Sequence, residues 1–217
     1  SATPEVEPAR ALVGGGSGRS LELAEAIDVG ALPTTEWVGV HDPTRASRGY
    51  LLAFFDRRVP MILDLSGRVV HAWPEVRAVS RASLNPECSL TFIDVNNNLQ
   101  EVSWTGESVR SFSTGDPTTF AHHDFQRLDD GGMVAILRDT SVHTDNIAFV
   151  DPGSSVTHLW RSSEHLQDDF LDEPFQARDL THFNSVQVLP ENPWFTAGDA
   201  RFRPGNVLVS ARHLNLI

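Results

Sequence analysis

Two stretches of this chain set groups capable of acid–base and anion chemistry at the ends of apolar runs. They are Leu180-Thr181-His182-Phe183-Asn184-Ser185-Val186-Gln187-Val188-Leu189 and Gly205-Asn206-Val207-Leu208-Val209-Ser210-Ala211-Arg212-His213. Arginine offers a planar fork of donors, and histidine gives or takes a proton near neutral pH. Such a set suits an anionic, tetrahedral group. Each run alternates β-branched or apolar residues with small or polar ones, so each reads as a strand. Pro190, Pro193, Pro204 and Gly205 lie between them and turn the connection into a hairpin with a long loop. A hairpin places the start of its first strand and the end of its second at one edge. His182, Asn184, Arg212 and His213 therefore share a mouth, although strand alternation sends His213 to the face opposite Arg212.

An earlier segment repeats the pattern. Ala121-His122-His123-Asp124-Phe125-Gln126-Arg127-Leu128 reads as a strand opened by two histidines, Asp129-Asp130-Gly131-Gly132 as a tight turn, and Met133 to Asp139 as the returning strand. Superposing Gly131-Gly132 on Gly205-Asn206 sets Arg138 on Arg212. By alternation His122 faces away from His123.

These hairpins sit in a strand-rich chain. At 217 residues, with 40% hydrophobic and 21% charged residues, the protein can build one domain with a substantial core. A formal net charge of -12 argues against nucleic acid or an anionic membrane surface as partner. An anionic ligand must therefore be met by local cations. Cys88 is the only cysteine, so no intrachain disulfide can form, and nothing around it activates a thiolate. No apolar run reaches membrane-spanning length. Residues 1–35 read as a flexible N-terminal segment in which Leu21 to Ile27 can form a short helix. Gly14-Gly15-Gly16-Ser17-Gly18 is not followed by Lys and Ser/Thr, as a phosphate loop requires.

From Glu36 onward, short strands recur with an aromatic at a fixed place. Gly67, Val70 and Trp73 are matched by Gly106, Val109 and Phe112, and approximately by Gly153, Val156 and Trp160. Repeats of this kind predict the stacked antiparallel blades of a β-propeller, the aromatics packing between blades because one small sheet cannot bury both faces alone. The expected fold is all-β with four-stranded blades over residues 36–217. The acidic run from Glu164 to Asp179 reads as a solvated loop, and the insertion from Glu191 to Pro204, with Trp194, Phe195 and Phe202, as a cover or contact surface.

Several segments together resemble the bacterial arylsulfotransferase family. Val40-His41-Asp42-Pro43-Thr44-Arg45-Ala46 with Gly49-Tyr50 looks like the start of its first blade, and Met61 through Trp73 like its first outer hairpin. His122-His123-Asp124-Phe125, His182-Phe183-Asn184-Ser185-Val186 and Ser210-Ala211-Arg212-His213-Leu214-Asn215 are similar to its active-site segments. The resemblance covers Val40 to Ile217. It implies a propeller of about six blades, roughly half of them in this chain. It also implies transfer of a sulfuryl group between phenols through a sulfated histidine, outside the cytoplasm, with no nucleotide donor, cofactor or metal. His123, His182 and Arg212 would be catalytic, with His122, Asn184, Arg138 and His213 binding substrate. The histidine that becomes sulfated comes from a later blade in this family, so a second polypeptide is expected to supply the remaining blades.

Two other readings of the residues stay open. One is a metal-dependent enzyme using His122, His123, Asp124 and His182. The other is a non-catalytic propeller that binds a ligand or protein in the same funnel.

Overall fold

The computed structural model describes Asp42 and residues 44–55, 58–166 and 179–217. The flexible segment and short helix expected over residues 1–35 lie outside these, as do His41, Asp168, Asp169, Asp172 and Glu173. Among the described residues the chain forms successive antiparallel sheets of three, four, four and two strands. The first contains β1 (Leu51–Phe55), β2 (Val59–Leu63) and β3 (Val69–Ala72). The second contains β4 (Ala78–Leu84), β5 (Leu90–Asp94), β6 (Leu99–Val102) and β7 (Ser108–Phe112). The third contains β8 (Thr119–Arg127), β9 (Met133–Asp139), β10 (Thr144–Val150) and β11 (Val156–Arg161). The fourth contains β12 (Phe183–Val188) and β13 (Val207–Ala211). Four antiparallel strands per blade, as the repeats predict, appear in the two central sheets.

One turn chemistry joins most neighbouring strands. Asp64 Oδ1 accepts from the amides of Ser66 (2.9 Å) and Arg68 (3.0 Å), and Gly67 follows in the left-handed region at φ +85°. Asp94 repeats this with Asn96 and Asn98 around Asn97, and Ser103 Oγ accepts from Glu107 around Gly106. An Asp or Ser side chain satisfies the turn amides while the next positions accept positive φ. At the third repeat the left-handed residue is Ser154, not Gly153. Counted from that residue, Trp160 stands at the same offset as Trp73 and Phe112. The irregularity in the sequence spacing belonged to the glycine, not to the blade.

The sheets stack because their middle strands are apolar on both faces. On β9, Val134 and Ile136 pack with Phe183, Val186 and Ala211 of the fourth sheet. Met133, Ala135 and Leu137 pack on the other side with Ile93, Leu99 and Phe112 of the second. Ile62 and Trp73 close the interface of the first sheet with Leu90, Phe92 and Val102 of the second. The aromatics expected between blades are there, Trp73 and Phe112 buried and Trp160 half-buried. His71 stacks on Trp104 at 3.7 Å, and its burial lowers its pKa.

At the rim away from His122 and His123, Arg110 of β7 crosses to the third sheet. Its guanidinium donates to the carbonyls of Gly131 (2.8 Å) and Pro152 (3.3 Å) and to the buried Glu101 (3.0 Å). Gly132 in that turn leaves room that a Cβ would lose, because one placed there would meet the Val150 carbonyl at 2.9 Å. Arg110→Ala takes from buried Glu101 the nearer of its two cations, leaving Arg127 at 3.9 Å, and should cost about 3 kcal/mol of stability in urea unfolding. Adding Glu101→Gln should recover part of that loss. Equal stability of Arg110→Ala and the parent protein would mean that the sheets are held by apolar contact alone.

Candidate functional site

The histidines meet because β8 is not a regular strand. Its register with β9 shifts between Ala121 and Phe125, and His123 takes φ +54°. Such a bulge re-aims side chains at sheet rims. His122, predicted by alternation to face away, lies with its ring 4.0 Å from that of His123. The second expectation from alternation also fails. β13 stops at Ala211, so Arg212 and His213 belong to a turn and both reach His182. Their amides bond to the carbonyls of His182 (3.1 Å) and Thr181 (3.4 Å). Arg212 Nη1 lies 3.4 Å from His182 Nε2, and the His213 ring lies 4.7 Å from the His182 ring.

His182 stands at the centre. Its Nε2 is 3.0 Å from Nε2 of His123, and its Nδ1 bonds to Asp179 Oδ2. His213 Nδ1 donates to the Asp179 carbonyl at 2.6 Å. His122 gives its Nδ1 proton to Asp145 Oδ1 at 3.0 Å. Asp145 is fully buried. Its other oxygen accepts from Thr181 Oγ1 (3.0 Å) and the Phe183 amide (2.8 Å), which fixes the segment carrying His182.

Arg138 was expected at the substrate. The structure turns it inward, buried, with Nη1 bonded to Asp179 Oδ1 and 3.5 Å from Asp145 Oδ2. Asn184 is the extra residue of a register shift in β12 and is exposed. Among the described residues its side chain makes no hydrogen bond to the histidine cluster. Asp145, Asp179 and Thr181 were missed from sequence. Asp179 was assigned to a solvated acidic run, but it is half-buried between a histidine and an arginine. A visible hint was Asp145 itself, a lone charge two residues before the apolar run Ile147 to Val150.

The bonding fixes protons. An arginine can only donate, so Nε2 of His182 is an acceptor and the ring proton sits on Nδ1, facing Asp179. Nε2 of His123 then donates. Burial, and next the neighbouring His122 and His182, push His123 down to about 4, so it stays neutral at pH 7. Burial works against a charge on Asp179, but hydrogen bonds from His182 and Arg138 outweigh it and hold its carboxyl below the usual range.

Asp179, His182 and His213 bring ligand atoms within 4.8 Å of one another. A divalent ion there would sit beside the charge of Arg138, which bonds Asp179 Oδ1. The alternative metal set loses Asp124, whose carboxylate accepts from the Val186 amide (3.0 Å) and pairs with Arg81 (2.9 Å) away from the histidines.

The sequence profile of the family described as Arylsulfotransferase (ASST) matches residues 40–217, most of the chain. The chain belongs to the arylsulfotransferase family. This agrees with the resemblance carried by the five segments. No curated protein matches it. A solved structure that aligns with it is the crystal structure of a protein of unknown function from Bacteroides caccae, with a TM-score of 0.46 and 11% identity. The alignment covers 74% of this chain and 49% of that chain, so the protein spans about half of the other's length.

The folded value for His123, about 4, lies below the ordinary 6.5, so the unfolded chain binds the proton first. Stability from this group is complete above pH 6.5 and falls as pH drops toward 4. The His123→Asn variant should show a shallower loss of stability over that window. Histidine ring shifts followed by NMR should place the His123 transition near the lower end. A transition close to 6.5 would contradict the buried, crowded environment described.

Proposed function

We propose that the chain contributes the acid–base and sulfate-holding groups of a PAPS-independent aryl sulfotransferase. Family membership supports a transferase acting on aryl compounds. The observation that carries the finer reading is the convergence of three groups on one point, His182 Nε2 with His123 Nε2 at 3.0 Å and Arg212 Nη1 at 3.4 Å. When a phenol arrives, His182 Nε2 accepts its hydroxyl proton as oxygen attacks sulfur. The N–H groups of His123 and Arg212 turn from His182 to the sulfuryl oxygens, where negative charge is concentrated. The S–N bond to a sulfated histidine breaks, its electron pair returning to that ring. In the first half-reaction the same groups act in reverse, and a protonated His182 returns the proton to the departing phenolate. The two half-reactions balance without a cofactor. His122 and His213 flank the site, and Asn184 sits at its exposed edge as a substrate contact.

On this reading the nucleophilic histidine comes from further blades, and the protein acts outside the cytoplasm. No helix among the described residues is long and apolar enough to cross a membrane. Within the fourth sheet β13 pairs with β12, and among the described residues its further pairing is a single bridge from Ala211 to Leu216. Beside it Phe149, Trp160, Val207, Val209 and Leu216 line an apolar groove of about 450 Å³. Added strands along β13 would cover that groove and bring the later blades to the histidine mouth.

Phenol release from a generic aryl sulfate, with a phenolic acceptor present, tests the reading on the complete assembly. Arg212→Ala and His182→Ala should each lower kcat by roughly 10² to 10³-fold. A chelator should leave turnover unchanged. No turnover by an assembly shown to contain all its blades would move the protein to a binding function, and loss on chelation would move it to metal chemistry.

A further inference from the structure

Asp179 and Arg138 form a pair that sets which nitrogen of His182 is basic. We infer that Asp179 is a positioning residue for His182, and that Arg138 makes this control one-directional. The inference rests on the proposed use of His182 as a base, but its structural part stands independently of turnover.

The two oxygens of Asp179 have separate occupants. Oδ1 receives Nη1 of Arg138, and Oδ2 receives Nδ1 of His182. A carboxylate accepts at both atoms, so His182 must present Nδ1–H to it. In its neutral form that leaves Nε2 as a lone pair aimed at His123 and Arg212. In water a free imidazole is not committed to this tautomer. The protein commits it by holding Asp179 in one orientation: Arg138 is buried and also 3.5 Å from Asp145, while His213 Nδ1 grips the Asp179 carbonyl at 2.6 Å. The segment between is fixed in turn, since Asp145 accepts from Thr181 and from the Phe183 amide on either side of His182. His182 therefore has little freedom to rotate away, and φ +45° at this residue marks the constrained backbone.

This arrangement makes a definite statement about Asp179→Asn. Arg138 only donates, so it must keep the oxygen of the new amide. The nitrogen then faces His182 Nδ1 and donates to it. His182 is forced into the Nε2–H tautomer, which points a proton at Arg212 and removes the base from the mouth. The isosteric change should leave the fold intact. Turnover should fall by roughly 10² to 10⁴-fold in kcat, the range for a lost general base, with little change in KM. Replacing Arg138 by methionine in the same protein frees the amide to flip. Asp179→Asn/Arg138→Met should therefore regain Nδ1–H population at His182, which a merely structural weakening would not do.

The test is long-range 1H–15N NMR on histidine-labelled protein, with the His182 signals assigned by their loss in His182→Gln. Parent protein should show a protonated Nδ1 and an unprotonated Nε2, Asp179→Asn the reverse, and the double variant a return toward the parent pattern. Nδ1–H retained in Asp179→Asn, or a parent protein with Nε2–H, would overturn the inference whatever the enzyme does. If the parent turns over no aryl sulfate but the tautomer reverses as described, the proposed reaction fails and the positioning stands. If turnover is normal in Asp179→Asn despite a reversed tautomer, the positioning has no part in catalysis and the inference fails.

Discussion

A middle strand buried on both faces constrains the whole arrangement. β9 carries apolar side chains toward the second sheet at odd positions and toward the fourth at even ones, from Met133 to Leu137. Neither set can be exposed without losing burial worth about 25 cal/mol for each Å². The sheets must therefore stack face to face, and their polar groups are confined to strand ends. Arg138 and Asp139 at the end of β9, and Thr144 and Asp145 at the start of β10, are such ends. The site lies where stacking stops.

Charges buried at that edge are tolerated because each has its opposite. Asp145 is wholly buried, which would be prohibitive alone. It accepts from His122, Thr181 and the Phe183 amide and lies near Arg138. Arg138 in turn bonds Asp179, so two carboxylates share one guanidinium beneath three histidine rings. The exposed Arg212 and the Nε2 atoms of His123 and His182 are left at the mouth. An overall charge of -12 is no obstacle to binding an anion when the cations near the mouth are positioned in this way.

Departures from regular strand geometry put the reactive groups within reach of one another. Left-handed φ at His123 and His182 is costly for a non-glycine residue and persists only where surrounding bonds hold it. At His123 the bulge turns two adjacent side chains to one side, and at His182 the hydrogen bonds to Asp145 flank the residue. The result is a cluster assembled from the edges of two sheets, the third and the fourth, with ring separations of 4.0 to 5.7 Å among His122, His123 and His182.

By itself the sequence determined strands, their hairpin turns, an aromatic recurring near a fixed place, and the meeting of His182 with Arg212 at one mouth. These follow from periods and turn residues that act over a few positions, and the resemblance to the family rests on the same segments. The tertiary structure alone decided the direction of each side chain. Alternation placed His122 and His213 on the wrong faces, because a bulge and an early strand end override a period of two. Superposing the two hairpins placed Arg138 at the substrate, and the acidic run placed Asp179 in solvent. Both are drawn inward by partners distant in the chain, Asp145 and His182 among them, and pairing of buried charges is a property of the packed sheets that no local pattern records.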